Sequence, residues 1–242
     1  MLHTPPREVG KQREEAMSNK ALAGLAACAA LAMLLNPSHP LAQAPAATPP
    51  APIMPPSLPA THVLDLMTAE GSAAMGAQWK VSDVRIVEVP AIPDTVTAFK
   101  TTYNIEPRAG AANFDDSKWP TIEAKDLSAR RSGGHIAFMW YRAMLTMPAK
   151  IGAFDTANAV AVLNVLVDDY AEVWINGDIP RRSGYPSPAT MQGHNMPNRV
   201  VLSTKVSAGD KFQVAIFGVN GPISVAPANS IWFREAKLQF YK

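Results

Sequence analysis

From Thr61 to Lys242 the chain is a succession of short β-prone runs broken by turn signals, with no helical period longer than two turns. The runs 78–89, 136–147, 159–167, 171–175, 199–202, 212–217 and 231–241 read as strands, and 65–74 as a short helix. Short strands at this spacing point to an all-β sandwich or barrel. Two runs show which side meets the core. In Ala171-Glu172-Val173-Trp174-Ile175, Val173 and Ile175 share one face while Glu172 and Trp174 share the other. In the run Phe212–Phe217, Phe212, Val214 and Ile216 form an apolar stripe. Asn176-Gly177 has the residues of a tight turn with positive φ, and Ala208-Gly209-Asp210 marks another reversal.

The residues before Thr61 have a different character. Met17-Ser18-Asn19-Lys20 leads into an apolar run from Ala21 to Leu35, broken by Asn36-Pro37 and followed by small residues around Ala42-Gln43-Ala44. This is the layout of a secretory signal peptide. The run is shorter than the roughly 20 residues of a membrane span, so the expected location is periplasmic or secreted, with no membrane span. Leu25-Ala26-Ala27-Cys28 has the form of a lipobox, which offers a lipoprotein anchored at Cys28 as the alternative. From Pro45 to about Pro59 the chain reads PAATPPAPIMPPSLP, an extended spacer, because proline fixes φ and removes donors. The expected organisation is therefore an N-terminal extension and signal peptide (1–44), a Pro-rich linker (45–60) and one folded domain (61–242).

Charge narrows the partners of that domain. The formal net charge is +2 and the basic residues do not gather into a run, so nucleic acid is not expected. Cys28 is the one cysteine, which leaves the folded part without a disulfide or a thiolate metal site.

Three elements then occur in order: Phe114-Asp115-Asp116-Ser117-Lys118-Trp119-Pro120, Trp140-Tyr141-Arg142, and Val167-Asp168-Asp169-Tyr170-Ala171-Glu172-Val173-Trp174-Ile175-Asn176-Gly177. Together they resemble the sugar-binding, galactose-binding-like jelly-roll domain of β-galactosidase-type glycoside hydrolases. The segments Asn198–Leu202 and Phe212–Ser224 are similar to an accessory domain of some secreted gluconolactonase-like proteins. The resemblance covers about Tyr103 to Lys242 and implies a jelly-roll β-sandwich. In gluconolactonase-like proteins a propeller does the chemistry, and this chain has no room for one.

Each motif has a structural and a functional reading. Asp115-Asp116 and Asp168-Asp169 are paired carboxylates of the kind used in acid/base catalysis or calcium binding, but aspartates at turns also bond their own backbone. No ordered ligand spacing identifies a metal. No cofactor is expected beyond a structural calcium, which domains of this kind often carry. Trp119, Trp140, Trp174 and Trp232 are either core or platforms for sugar rings. The segment 178–197 is the most informative loop, since long loops in compact domains are disproportionately functional. It holds Arg181, Arg182, Tyr185, His194 and Asn195, which with Trp174 form the candidate ligand-binding set; guanidinium and amide donors beside an aromatic suit a polyhydroxylated or carboxylated sugar. A second polar loop spans 220–230. His62, His135 and His194 lack metal-pair spacing and read as structural or solvent-exposed.

The expected function is an exported non-catalytic module binding carbohydrate or a sugar acid through loops at one end of the sandwich, with no catalytic residues. The alternatives are an accessory domain that docks a separately encoded enzyme of lactonase or glycosidase type, and a hydrolase using Asp168, Asp169 and Glu172.

Overall fold

The computed structural model describes residues 55–90, 102–128, 136–179, 195–220 and 231–242, together with the backbone of 191–193. All belong to one compact unit, Thr48–Lys242. In chain order the strands are β1 (His62–Asp65), β2 (Trp79–Asp83), β3 (Arg85–Val89), β4 (Thr102–Glu106), β5 (Thr121–Ile122), β6 (Ala137–Thr146) and β7 (Lys150–Ile151). There follow β8 (Phe154–Asp155), β9 (Val160–Asp168), β10 (Tyr170–Ile175), β11 (Met191–Gly193), β12 (Asn198–Ser203), β13 (Lys211–Asn220) and β14 (Trp232–Tyr241). One short α-helix, α1 (Ala69–Ala74), and a 3₁₀ turn at Ala124–Ser128 complete the described elements.

Two antiparallel sheets face one another: four strands in the order β1-β14-β9-β12, and six in the order β11-β10-β13-β6-β2-β5. From β9 onward the chain crosses repeatedly between them, the alternation of a jelly-roll sandwich. Period-2 alternation supplies the core. Val173 and Ile175 of β10 and Phe212, Val214 and Ile216 of β13 project inward as expected, and all are buried. They meet Leu163, Val165, Phe233, Leu238 and Phe240 from the four-stranded sheet. The Asn176-Gly177 turn forms as its residues dictate, with φ of 51° and 86° and the Ile175 and Asp178 backbones bonded to each other at 2.7 and 3.0 Å.

Two of the predicted elements divide. The run 78–89 is two strands, because Val84 is drawn into an apolar cluster and its N–H donates to the Phe138 carbonyl at 2.9 Å. Beyond it, β3 leaves the six-stranded sheet and pairs with β4 as a separate ribbon. The helix predicted over 65–74 begins only at Ala69. Thr68 caps it, its hydroxyl accepting from Gly71 N at 3.0 Å, while His62–Asp65 pairs with β14. His62 packs by stacking on Phe154 at 4.8 Å, a structural role. Of the Pro-rich linker, residues from Pro55 onward are described, and the Pro56 carbonyl accepts a hydrogen bond from Arg199 at 3.1 Å.

Candidate functional site

The side of the six-stranded sheet turned away from the core carries the chemistry. Strand register groups its outward side chains into rows, since directly opposed residues share a face. One row runs Glu172, Phe217, Trp140, Ser82; the next runs Trp174, Ala215, Arg142, Lys80. A further row places Gln213 opposite Met144.

The segment 107–120 lies over the first two rows like a strap, held by donors from the sheet. Trp140 Nε1 donates to the Pro107 carbonyl at 2.8 Å. Arg142, only 1% exposed, donates from Nε to Asp116 Oδ2 at 2.8 Å and from Nη1 to the carbonyls of Ala109 and Ala111. Lys80 Nζ donates to Asp116 Oδ1 at 2.8 Å and to the Asp116 carbonyl at 3.1 Å. Phe114 sits under the Arg142 guanidinium at 5.5 Å. Partial burial pushes the Asp116 carboxyl up, but the hydrogen bonds and charges of Lys80 and Arg142 outweigh it and hold the group below its ordinary 3.8. Asp115 instead caps its own turn, accepting from Ser117 N at 3.0 Å, the turn role its residue type suggests.

The three sequence elements of the resemblance therefore converge on one face and interlock. Trp174 joins them: its ring packs edge-on against Trp140 at 6.3 Å, and a Cβ on Gly110 would come within 2.7 Å of it. Glycine at 110 is what lets the strap approach the indole so closely. Beside it, Glu172 accepts from the Tyr170 hydroxyl at 2.9 Å and from Trp174 Nε1 at 3.2 Å. Burial and the neighbouring Glu172 charge hold the Tyr170 phenol above its usual range, which keeps it a donor. At the other sheet, Asp168 pairs with Arg234 at 3.0 Å, and that guanidinium lies 3.4 Å over the Trp232 ring. Arg234 occupies a bulge between Phe233 and Glu235, which is how it reaches both.

At the border of the strap the sheet is open, and a groove of about 180 Å³ lies between Gly76, Gln78, Lys80, Met144 and Gln213, with Asp116 and Arg142 also lining it. Met144 is 43% exposed there.

Of the sequence-predicted ligand set, Trp174 is half-buried against the strap, and Asn195 has a left-handed backbone, φ 60°, just before β12. Arg181, Arg182, Tyr185 and His194 lie outside the described residues, as do His135 and most of the 220–230 loop. The ends of the 178–197 loop are placed: it leaves from the Asn176-Gly177 turn and returns through β11, which pairs with Tyr170–Glu172. Among the described residues no cluster of three or more His, Cys, Asp or Glu side chains is positioned for a metal, and no helix is long and apolar enough to cross a membrane. The sequence reading missed the groove. Its legible signal was Gln213, a polar residue on the face opposite the apolar stripe of β13.

No protein-family model and no curated protein sequence matches this chain. Among solved structures, it is similar to a Bacteroides uniformis beta-glucuronidase, 17% identical with a TM-score of 0.41, over 74% of this chain and 18% of that one. A glycosyl hydrolase family 2 member from Bacteroides cellulosilyticus is 11% identical with a TM-score of 0.43, over 74% of this chain and 20% of that one. A Faecalibacterium prausnitzii beta-glucuronidase is 16% identical with a TM-score of 0.34, over 78% of this chain and 32% of that one. The chain thus corresponds to a fifth to a third of the length of these structures.

Proposed function

We propose that the chain is an exported, non-catalytic module that binds a carbohydrate, with no resident cofactor. The observation that carries this reading is the commitment of Asp116, Asp168 and Glu172 to the fold. Asp116 is held by Lys80 and Arg142, Asp168 by Arg234, and Glu172 by Tyr170 and Trp174. A general acid or nucleophile must face a reacting atom; these groups face donors from their own sandwich. The groove beside the strap offers instead what a sugar needs, with amide groups for hydroxyls and the Met144 side chain for a C–H face. The 178–197 loop, with Arg181, Arg182, Tyr185 and His194, belongs to the proposal as a second contact region.

Calorimetric titration of the purified protein with neutral and acidic mono- and oligosaccharides tests this, alongside assays with nitrophenyl glycosides and sugar lactones. Saturable binding without turnover is the expected result. No binding across the panel sinks the carbohydrate reading, and turnover abolished by Glu172→Gln sinks the non-catalytic one.

A second reading, docking to a separately encoded enzyme, rests on the β3–β4 ribbon. Ile86 and Tyr103 share one face of it and are 45% and 61% exposed. Co-purification with a glycosidase or lactonase that Tyr103→Ser abolishes would favour it.

A further inference from the structure

We infer that the groove between Gln78, Lys80, Met144 and Gln213 selects a sugar acid, with the ligand carboxylate against Lys80; this rests on the carbohydrate reading and names the ligand class and its contacts. The argument begins with charge. Two cations, Lys80 and Arg142, bond the single carboxylate of Asp116, and with the neighbouring Asp115, which feels both Lys80 and Lys118, the cluster of three cations and two carboxylates keeps one positive charge in excess. Arg142 is not the group that offers it, because its guanidinium is buried and engaged by Asp116 and two strap carbonyls. Lys80 is. Its side chain is 26% exposed, both of its hydrogen bonds go to Asp116, and the third ammonium N–H has no partner among the described residues. An ammonium presented in this way attracts an anion, and a carboxylate joined to it by a charge-assisted bond fills the remaining donor.

The walls restrict which anion. Gln213 Nε2 is consumed by the carbonyls of Ala143 and Val214 at 3.2 and 3.0 Å, so its amide oxygen is the atom left for a ligand donor. Gln78 is exposed and has no hydrogen bond among the described residues, which leaves its amide both to donate and to accept. Met144, directly opposite Gln213 in the sheet, gives the polarizable apolar contact between them. Cation, acceptor, amide and thioether together fit a sugar unit that carries a carboxylate, several hydroxyls and a C–H face. The groove, about 180 Å³, is smaller than the roughly 300–1,000 Å³ of drug-sized pockets and suits a single sugar unit.

The test is calorimetry of the full chain with D-glucuronate, D-galacturonate and D-gluconate, against glucose, galactose and inorganic phosphate, repeated with Lys80→Gln, Lys80→Arg and Gln78→Ala. The expected result is saturable binding of at least one sugar acid, weakened tenfold or more by Lys80→Gln, partly restored by Lys80→Arg, and weakened by added salt. Sugar acids that bind equally well to Lys80→Gln overturn the inference, and so does phosphate binding as tightly as the sugar acids. Neutral sugars binding alone overturn it while the carbohydrate reading stands; no sugar binding at all removes both. A second readout does not depend on the Lys80 and Gln78 variants folding. The Met144 methyl resonance, assigned through Met144→Leu, is expected to shift on addition of the tightest sugar acid, and an unmoved resonance at saturation overturns the site.

Discussion

At its centre, β6 is buried on both faces, by different means. Its inward residues Tyr141, Ala143 and Leu145 meet the four-stranded sheet in an apolar interface where Tyr141 packs edge-on against Phe233 at 4.7 Å. Its outward residues Trp140 and Arg142 are just as buried, but under a strap tied down by an ion pair and by hydrogen bonds to carbonyls. The inward face is held by area, which is non-directional and tolerant of shape. The outward face is held by geometry, and removing one partner leaves another buried and unpaired. Within the motifs, the charged and indole residues Asp116, Trp140, Arg142 and Trp174 belong to the outward clamp, since a directional clamp specifies residue types, whereas an apolar core specifies mainly volume.

The largest expected effect is on the inward face. Phe233→Ala should cost about 4 kcal/mol in chemical denaturation, from lost burial and the cavity left behind. A loss near 1 kcal/mol would mean the sheets collapse into the gap, and the contrast in packing would weaken.

On the outward face, Asp116→Ala should cost about 3 kcal/mol, because it strands the buried Arg142 guanidinium. The double variant Asp116→Ala, Arg142→Met should cost less than the sum of the two singles by about 2 kcal/mol. Simple additivity would show that the pair does not hold the strap. The same pair has a pH signature. The folded Asp116 carboxyl ionises below 3.8, so its stabilisation is fully present above that value and is lost as pH falls through the lower folded value. The stability gap between wild type and Asp116→Asn should therefore be flat from pH 5 to 7 and close below pH 3.8; a gap that persists in acid would assign it to packing.

Gly110→Ala should cost about 2 kcal/mol through overlap with Trp174, and much less in a Trp174→Ala background, as thermal melts would read. The smallest effect is expected for Glu172→Gln, about 1 kcal/mol, since the amide oxygen still accepts from one of its two donors. A loss of 3 kcal/mol or more there would extend the clamp to β10.

Much of the fold was legible in the chain, and the reasons are local. Val173 and Ile175, or Phe212, Val214 and Ile216, declare an inward face because adjacent side chains of a strand must point to opposite sides. Asn176-Gly177 declares its turn because few residue pairs accept positive φ twice. The ribbon was not legible. Thr102–Glu106 alternates, with Tyr103 and Ile105 on one side, but two apolar residues are too few to mark a strand alone, and the partnership with Arg85–Val89 makes it one. In the same way 78–89 reads as one continuous run, and its division at Val84 follows from a contact with Phe138, which lies far along the chain.

The candidate site divides along the same line. The sequence alone determined the strand faces and the tight turn, because each follows from backbone stereochemistry and side-chain type. Only the tertiary structure decided how the polar and aromatic residues are employed: that Asp116 is a strut for Arg142, that Trp174 is pinned beneath Gly110, and that Lys80, Gln78, Met144 and Gln213 border one groove. Those four residues come from β2, β6, β13 and the turn before β2, and what brings them together is strand register across the six-stranded sheet. Register is set by the sum of many apolar contacts distributed over the sandwich, so no short stretch of the chain encodes it.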